Sequence, residues 1–283
     1  MASENRVESW IEKLISHDRT IALAALCAVI AASWLYLLAG AGTGMSPTAM
    51  TSWPMAIGAP EALSRAIATP VSWTSSYALA MFAMWWVMMM GMMLPSAAPV
   101  ILLYARISGG RDRTAGVTRA SLPAMVFVMG YLLVWGGFSA VAVALQWQFE
   151  AFGVLSPAMM STSSGIFAGT VLIYAGAYQL SPLKRACLKH CQSPLAFITR
   201  HWRDGLLGAL RMGLRHGLYC LGCCLGLMAI LFFGGIMNLY WIAGLAVLVL
   251  LEKLLPSGAR LSMATGSLLI VWGLWFLARP LFN

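Results

Sequence analysis

Charge is scarce in this chain. Charged residues make up 10% of 283, and nine of them are acidic. Soluble domains carry about 25% charged residues, so an ordinary cytosolic enzyme is excluded. Histidine is equally scarce, with four residues. There is no His-Glu-x-x-His pattern, P-loop, nucleotide fingerprint or nucleophile elbow. An ATP-driven pump is thereby disfavoured, and binding is favoured over catalysis. No small-residue cleavage site follows the first apolar run, so the N-terminus is expected to be retained rather than cleaved as a signal peptide.

What the chain has instead is apolar surface. Hydrophobic residues make up 60%, and mean hydropathy is +0.81. A soluble globule of this length could not hide so much. A disordered chain and a secreted disulfide scaffold are excluded on the same ground. The expected class is all-α, a polytopic transmembrane helix bundle. Crossing a bilayer takes about 20 mostly apolar residues. Seven stretches qualify: Ile21–Gly42, Tyr77–Tyr104, Leu122–Leu145, Ser163–Leu180, Gly217–Ile236, Leu239–Leu255 and Leu261–Ala278. Gly234, Gly235 and Asn238 offer the turn that separates the fifth from the sixth.

Lys and Arg accumulate in cytoplasmic loops. With the N-terminus cytoplasmic, every basic residue except Arg65 and Arg279 falls on the inner side. The +9 net charge is then a topology signal facing lipid headgroups. It is spread over four loops, which speaks against nucleic acid. Residues 1–20 form an expected amphipathic cytoplasmic segment, with Val7, Trp10, Ile11, Leu14 and Ile15 at helical spacing. Residues 21–283 form the helical domain, with an outer segment 43–76 and a cysteine-bearing cytoplasmic loop 181–216. Oligomeric state is not legible.

Cys27 stands alone in the first span, as a small apolar filler. Cys187, Cys191, Cys220, Cys223 and Cys224 gather at the inner side. Cytosolic thiols stay reduced, so a metal site is a better reading than a disulfide. Cys187 and Cys191 are i, i+4; Cys220 and Cys223 are i, i+3, and each pair shares a helix face. Four thiolates can close a zinc site or hold Cu(I) with two or three sulfurs. Cys224 is an alternative ligand. His190 and His216 flank the pairs and are further candidates. Tyr178, Gln179 and Lys184 stand beside the cysteine loop as supports for its ligands.

Methionine is abundant, at 19 residues. Met84, Met88, Met89, Met92 and Met93 repeat at i, i+4 in the second span, and Met125 and Met129 do so in the third. Thioethers are soft ligands that favour Cu(I) and need no costly charge inside a bilayer. Met45, Met50, Met55, Met159 and Met160 would lie outside, so the sequence allows a ladder of weak ligands ending in strong ones. Methionine also fills gaps in helix packing without any metal. Pro95 is expected to free a backbone carbonyl. Gly165 with Gly169, Gly213 with Gly217 and Gly222 with Gly226 read as close helix contacts. Glu150 and Glu252 fall near interfaces, where they would be solvated or paired; His17 and His201 read as surface residues.

The run Met84-Trp85-Trp86-Val87-Met88-Met89-Met90-Gly91-Met92-Met93-Leu94-Pro95-Ser96 resembles the signature of bacterial predicted metal-binding integral membrane proteins, domain-of-unknown-function family 2182. Tyr178-Gln179-Leu180-Ser181-Pro182-Leu183-Lys184 with Cys187, Leu188 and Cys191 is similar to its second motif, with Ser181 where Thr is expected. Gly217-Leu218-Tyr219-Cys220-Leu221-Gly222-Cys223-Cys224, Gly235-Ile236-Met237-Asn238 and Glu252-Lys253 are similar to its third. The resemblance implies metal binding in the bacterial cytoplasmic (inner) membrane and suggests copper handling. The leading expectation is a protein that moves, holds or hands over Cu(I), in the lipid bilayer and with a copper-carrying protein on either side as partner. The alternatives are a structural or assembly protein with a zinc–thiolate site and a membrane thiol–disulfide relay.

Overall fold

The computed structural model describes residues 20, 22–42, 72–111, 117–156, 160–162 and 164–278. The segment 1–20 apart from Thr20, most of the outer segment 43–76, Met159 and Arg279 lie outside them.

Among the described residues, each of the seven apolar stretches contains helix. Helix α1 covers Ala22–Leu38, α2 Ser75–Arg111 and α3 Val117–Ala151. A two-stranded antiparallel ribbon, β1 (Leu155–Ser156) with β2 (Ser161–Thr162), follows. Then come α4 (Gly165–Leu180), α5 (Pro182–Gln192), α6 (Pro194–His201) and α7 (Gly205–Ala229). The short α8 (Leu231–Gly234), α9 (Leu239–Leu254) and α10 (Gly258–Ala278) complete the order.

Among the described residues, four stretches are long and apolar enough to cross a membrane: Ser75–Gly109, Leu122–Ala151, Gly205–Gly234 and Gly258–Ala278. Helices α4 and α5 qualify only as a pair, bent by 61°. Helix α1 is a shorter apolar helix. Helix α9 has 16 residues, about 24 Å at the helical rise. By length and apolarity the count is thus four, or five with the bent pair, against the seven read from sequence.

The α4–α5 bend has a local cause. Pro182 lacks an N–H and drives the residue before it out of helical geometry. Ser181 accordingly sits at φ −66°, ψ 148°, and its hydroxyl oxygen accepts from the Lys184 N–H to cap α5. The hydroxyl that Ser181 shares with the expected Thr has this use. At the other turn, Gly235 takes φ 95°, and the Asn238 side chain accepts from the N–H groups of Tyr240 and Trp241 to start α9.

Close helix contacts set the bundle. A Cβ at Gly213 of α7 would strike the Phe127 carbonyl of α3, and one at Gly217 would lie 2.9 Å from Val134. Helices α4 and α10 meet through Gly169 on Gly273 and Gly176 on Gly266. Gly165 has no such close neighbour: the nearest atom to a Cβ there is 4.0 Å away. The core between α2, α3 and α7 is filled by Trp85, Trp135, Tyr131 and the buried methionines.

Candidate functional site

The thiols meet where α5 packs on α7. All five cysteines of this region are free; Cys191, Cys220, Cys223 and Cys224 are buried, and Cys187 is half-buried. The Cys223 sulfur lies 3.8 Å from that of Cys191 and 3.4 Å from that of Cys224. It also points at the Cys220 carbonyl oxygen, 3.1 Å away. A Cβ at Gly222 would stand 2.7 Å from the Cys187 sulfur, so a glycine lets α5 come this close. Tyr178 rests on Gly226 and donates its hydroxyl to the Gly222 carbonyl at 2.6 Å. Among the described residues, no group of three or more His, Cys, Asp or Glu side chains is set to hold a metal ion. Cys27 is exposed on α1, so it is not the packed filler expected from the sequence.

Cys220 adjoins Cys223 and Cys224 and also faces a polar pocket. Its sulfur is 3.0 Å from the Lys253 ammonium and 3.1 Å from the Tyr131 hydroxyl. Lys253 also donates to the Ser96 hydroxyl at 2.9 Å, and Tyr131 donates to the Met93 carbonyl at 3.2 Å. A charge in an apolar interior is costly unless paired. Among the described residues, no carboxylate pairs with Lys253, and Cys220 is its nearest group able to carry negative charge. Tyr131 and Ser96 tie the end of the methionine run to this corner.

Beside the thiols lies a second buried charge set. The sequence leaves solvation and pairing open for Glu252. It is 2% exposed and forms an ion pair with Lys184 at 2.6 Å, so it is paired and not solvated. Gln179 completes the set: its amide donates to Glu252 at 2.8 Å and to Thr265 at 2.9 Å, and its carbonyl oxygen accepts from Lys184. Gln192 donates to the Glu252 carbonyl at 2.8 Å. These bonds lock α4, α5, α9 and α10 together and so fix where Cys187 and Cys191 stand.

Met84, Met88, Met89, Met92 and Met93 are all buried, each at most 1% exposed. Met125 and Met129 are not with them: they are 64% and 53% exposed on the outer surface of α3. Met160 of the outer group is buried. His190 stacks on Tyr219 with ring centroids 4.1 Å apart, its Nδ1 on the Ala186 carbonyl oxygen. His201 is half-buried, its Nδ1 on the Phe197 carbonyl oxygen. His216 is buried, and its Nδ1 has no partner. Glu150 is paired, accepting from Trp73 and from Gln146, which in turn accepts from Trp85.

Sequence reasoning did not single out Lys253, Tyr131 or Ser96 as site residues, although Lys253 and Ser96 stand in its motifs. The signal for Lys253 was present: an ionisable residue within an apolar helix marks a site by default. Ser96 closes the methionine-rich motif, but Tyr131 carries no sequence signal, since its place comes from contacts across helices.

A family model described as a copper chaperone, PpoB2, matches residues 82–276. The chain belongs to that family. The match fits the copper reading of the motifs but not the domain-of-unknown-function 2182 name. No curated protein and no solved structure matches the chain.

Proposed function

We propose that this member of the copper-chaperone family is an integral membrane protein that holds Cu(I) on its buried thiols and hands it on. Cys191 and Cys223 are the main ligands, with Cys224 and Cys220 within a helical turn of Cys223 and Cys187 as a half-exposed thiol beside them. The observation that carries this reading is the 3.8 Å approach of the Cys191 and Cys223 sulfurs from two different helices. At a metal–sulfur bond of about 2.3 Å, two sulfurs on one ion lie at most about 4.6 Å apart. This pair spans one ion without moving either helix. Thiolate is also the ligand that selects Cu(I) among common metals at a two- or three-sulfur site.

The buried surroundings suit that charge. Two or three thiolates on Cu(I) leave a net negative complex, and Lys253 places a positive charge against Cys220. Met84, Met88, Met89, Met92 and Met93 form a relay of neutral soft ligands leading toward the same corner. Met125 and Met129 face outward and stand outside this relay. The seven-span topology with a cytoplasmic N-terminus, and residence in the bacterial inner membrane, complete the proposal. The basic residues carry it.

The test is a Cu(I) titration of the purified protein, without oxygen, against a chromophoric chelator. Wild type is expected to withdraw about one equivalent, and Cys191→Ser with Cys223→Ser to withdraw none. Equal withdrawal by both proteins would overturn the reading. Tight zinc binding with no copper withdrawal would assign the thiols to a structural zinc site instead.

A further inference from the structure

A cavity of about 320 Å³ opens beside the N-terminal half of α7, lined by His201, Arg203, Arg211, Met212 and Arg215. None of the three arginines pairs with a carboxylate among the described residues, and all three are exposed. The stretch Gly205–Gly234 has 30 residues, about 45 Å of helix, against a hydrocarbon core of about 30 Å. The arginine-bearing end is the end that projects, because charge inside the core is costly.

Met212 lines this cavity and is 1% exposed. It is followed at i+4 by His216 and at i+8 by Cys220, both buried. Residues four apart on a helix lie about 5–6 Å from one another, so the three form a stair along one face. The middle step is the buried imidazole whose Nδ1 lacks a partner. Its ring is held between Phe127, Tyr131 and Phe197, with centroids 6.2, 5.7 and 5.0 Å away. An unsatisfied buried nitrogen calls for an explanation, and a bound ion is one.

We propose that this cavity is the exchange mouth of the thiol cluster, where an anionic Cu(I)–thiolate complex docks and copper passes by Met212 and His216 to Cys220. The inference rests on the copper reading above and adds the route and the charge of the carrier. Thioether, imidazole and thiol are ligands of rising strength for Cu(I). The metal stays Cu(I) throughout. At each step one copper–ligand bond forms as the one behind it breaks, and the carrier keeps the thiolates it releases. The arginines repel a bare cation and attract an anionic complex, which sets the form in which copper arrives.

The experiment follows the rate at which full-length protein in detergent loads copper, without oxygen, from two donors. One donor is the anionic Cu(I)–glutathione complex, the other the cationic acetonitrile complex of Cu(I). An Arg211→Gln, Arg215→Gln double variant is expected to load from glutathione about tenfold more slowly or worse, while loading from the cation does not slow. Met212→Leu, which keeps side-chain volume, is expected to slow loading from both, with thermal unfolding confirming the fold. Wild-type rates in both variants would overturn the mouth. Slowing in the arginine variant alone would overturn the route past Met212. Failure of the wild type to load from either donor would overturn the copper reading itself, which separates the two failures.

Discussion

The sulfurs of Cys191 on α5 and Cys223 on α7 lie 3.8 Å apart, although a helix and two turns separate the residues in the chain. Three things hold them there. Pro182 bends α4 into α5, Gly222 removes the side chain that would keep α5 away, and the Lys184–Glu252 pair fastens α5 to α9. Each can be broken separately, and each break has its own signature.

Glu252→Gln leaves the Lys184 ammonium buried without its counter-charge. Breaking a buried pair from one side costs about 3–5 kcal/mol. Thermal unfolding in detergent is expected to show a large loss. Lys184→Met with Glu252→Gln is expected to recover most of it, because no charge is then stranded. Equal losses in the single and double variants would contradict the assignment.

Lys253→Met separates charge from packing. Its counter-group Cys220 can take up a proton and become neutral, so removing the buried charge is expected to leave the unfolding temperature unchanged or raise it. Copper affinity is expected to fall about tenfold or more, since the thiolate site loses its positive neighbour. A stability loss with unchanged affinity would make Lys253 a packing residue.

Gly222→Ala puts a methyl group 2.7 Å from the Cys187 sulfur. Overpacking of this kind costs about 1–3 kcal/mol. The half-exposed Cys187 is expected to swing outward and react faster with a thiol reagent, while Cys191 stays protected. Unchanged labelling of Cys187 would show that α5 does not rest on Gly222.

Met88→Leu with Met92→Leu nearly conserves core volume, so its stability cost is expected to stay below about 1.5 kcal/mol. Copper transfer in membrane vesicles is expected to slow. Met125→Leu with Met129→Leu serves as the control, because those side chains face outward. Equal transfer rates in the two variants would remove the thioethers from the route.

The helical class and the positions of the apolar stretches were legible because apolar runs of that length have few other solutions. Cys187 with Cys191 and Cys220 with Cys223 do fall on two helices, α5 and α7, but the sulfurs that approach across helices are those of Cys191 and Cys223. Periodicity could not tell which methionines face inward. Helices α2 and α3 are apolar all round, and such helices give no stripe to orient. Met93 and Met129 look alike in sequence, yet one is buried and the other exposed. The burial of Glu252 and Lys253 was hidden for a different reason. A charged pair at the end of an apolar run looks interfacial until the neighbours of α9, namely α4, α5 and α2, are known.

The central claim is that copper sits on the thiols of α5 and α7. X-ray absorption of the copper-loaded protein tests it most directly. The account predicts Cu(I) bound by two or three sulfurs, with the signal lost in Cys191→Ser, Cys223→Ser. Copper bound through nitrogen or oxygen alone, or a sulfur shell that survives the double substitution, would contradict it.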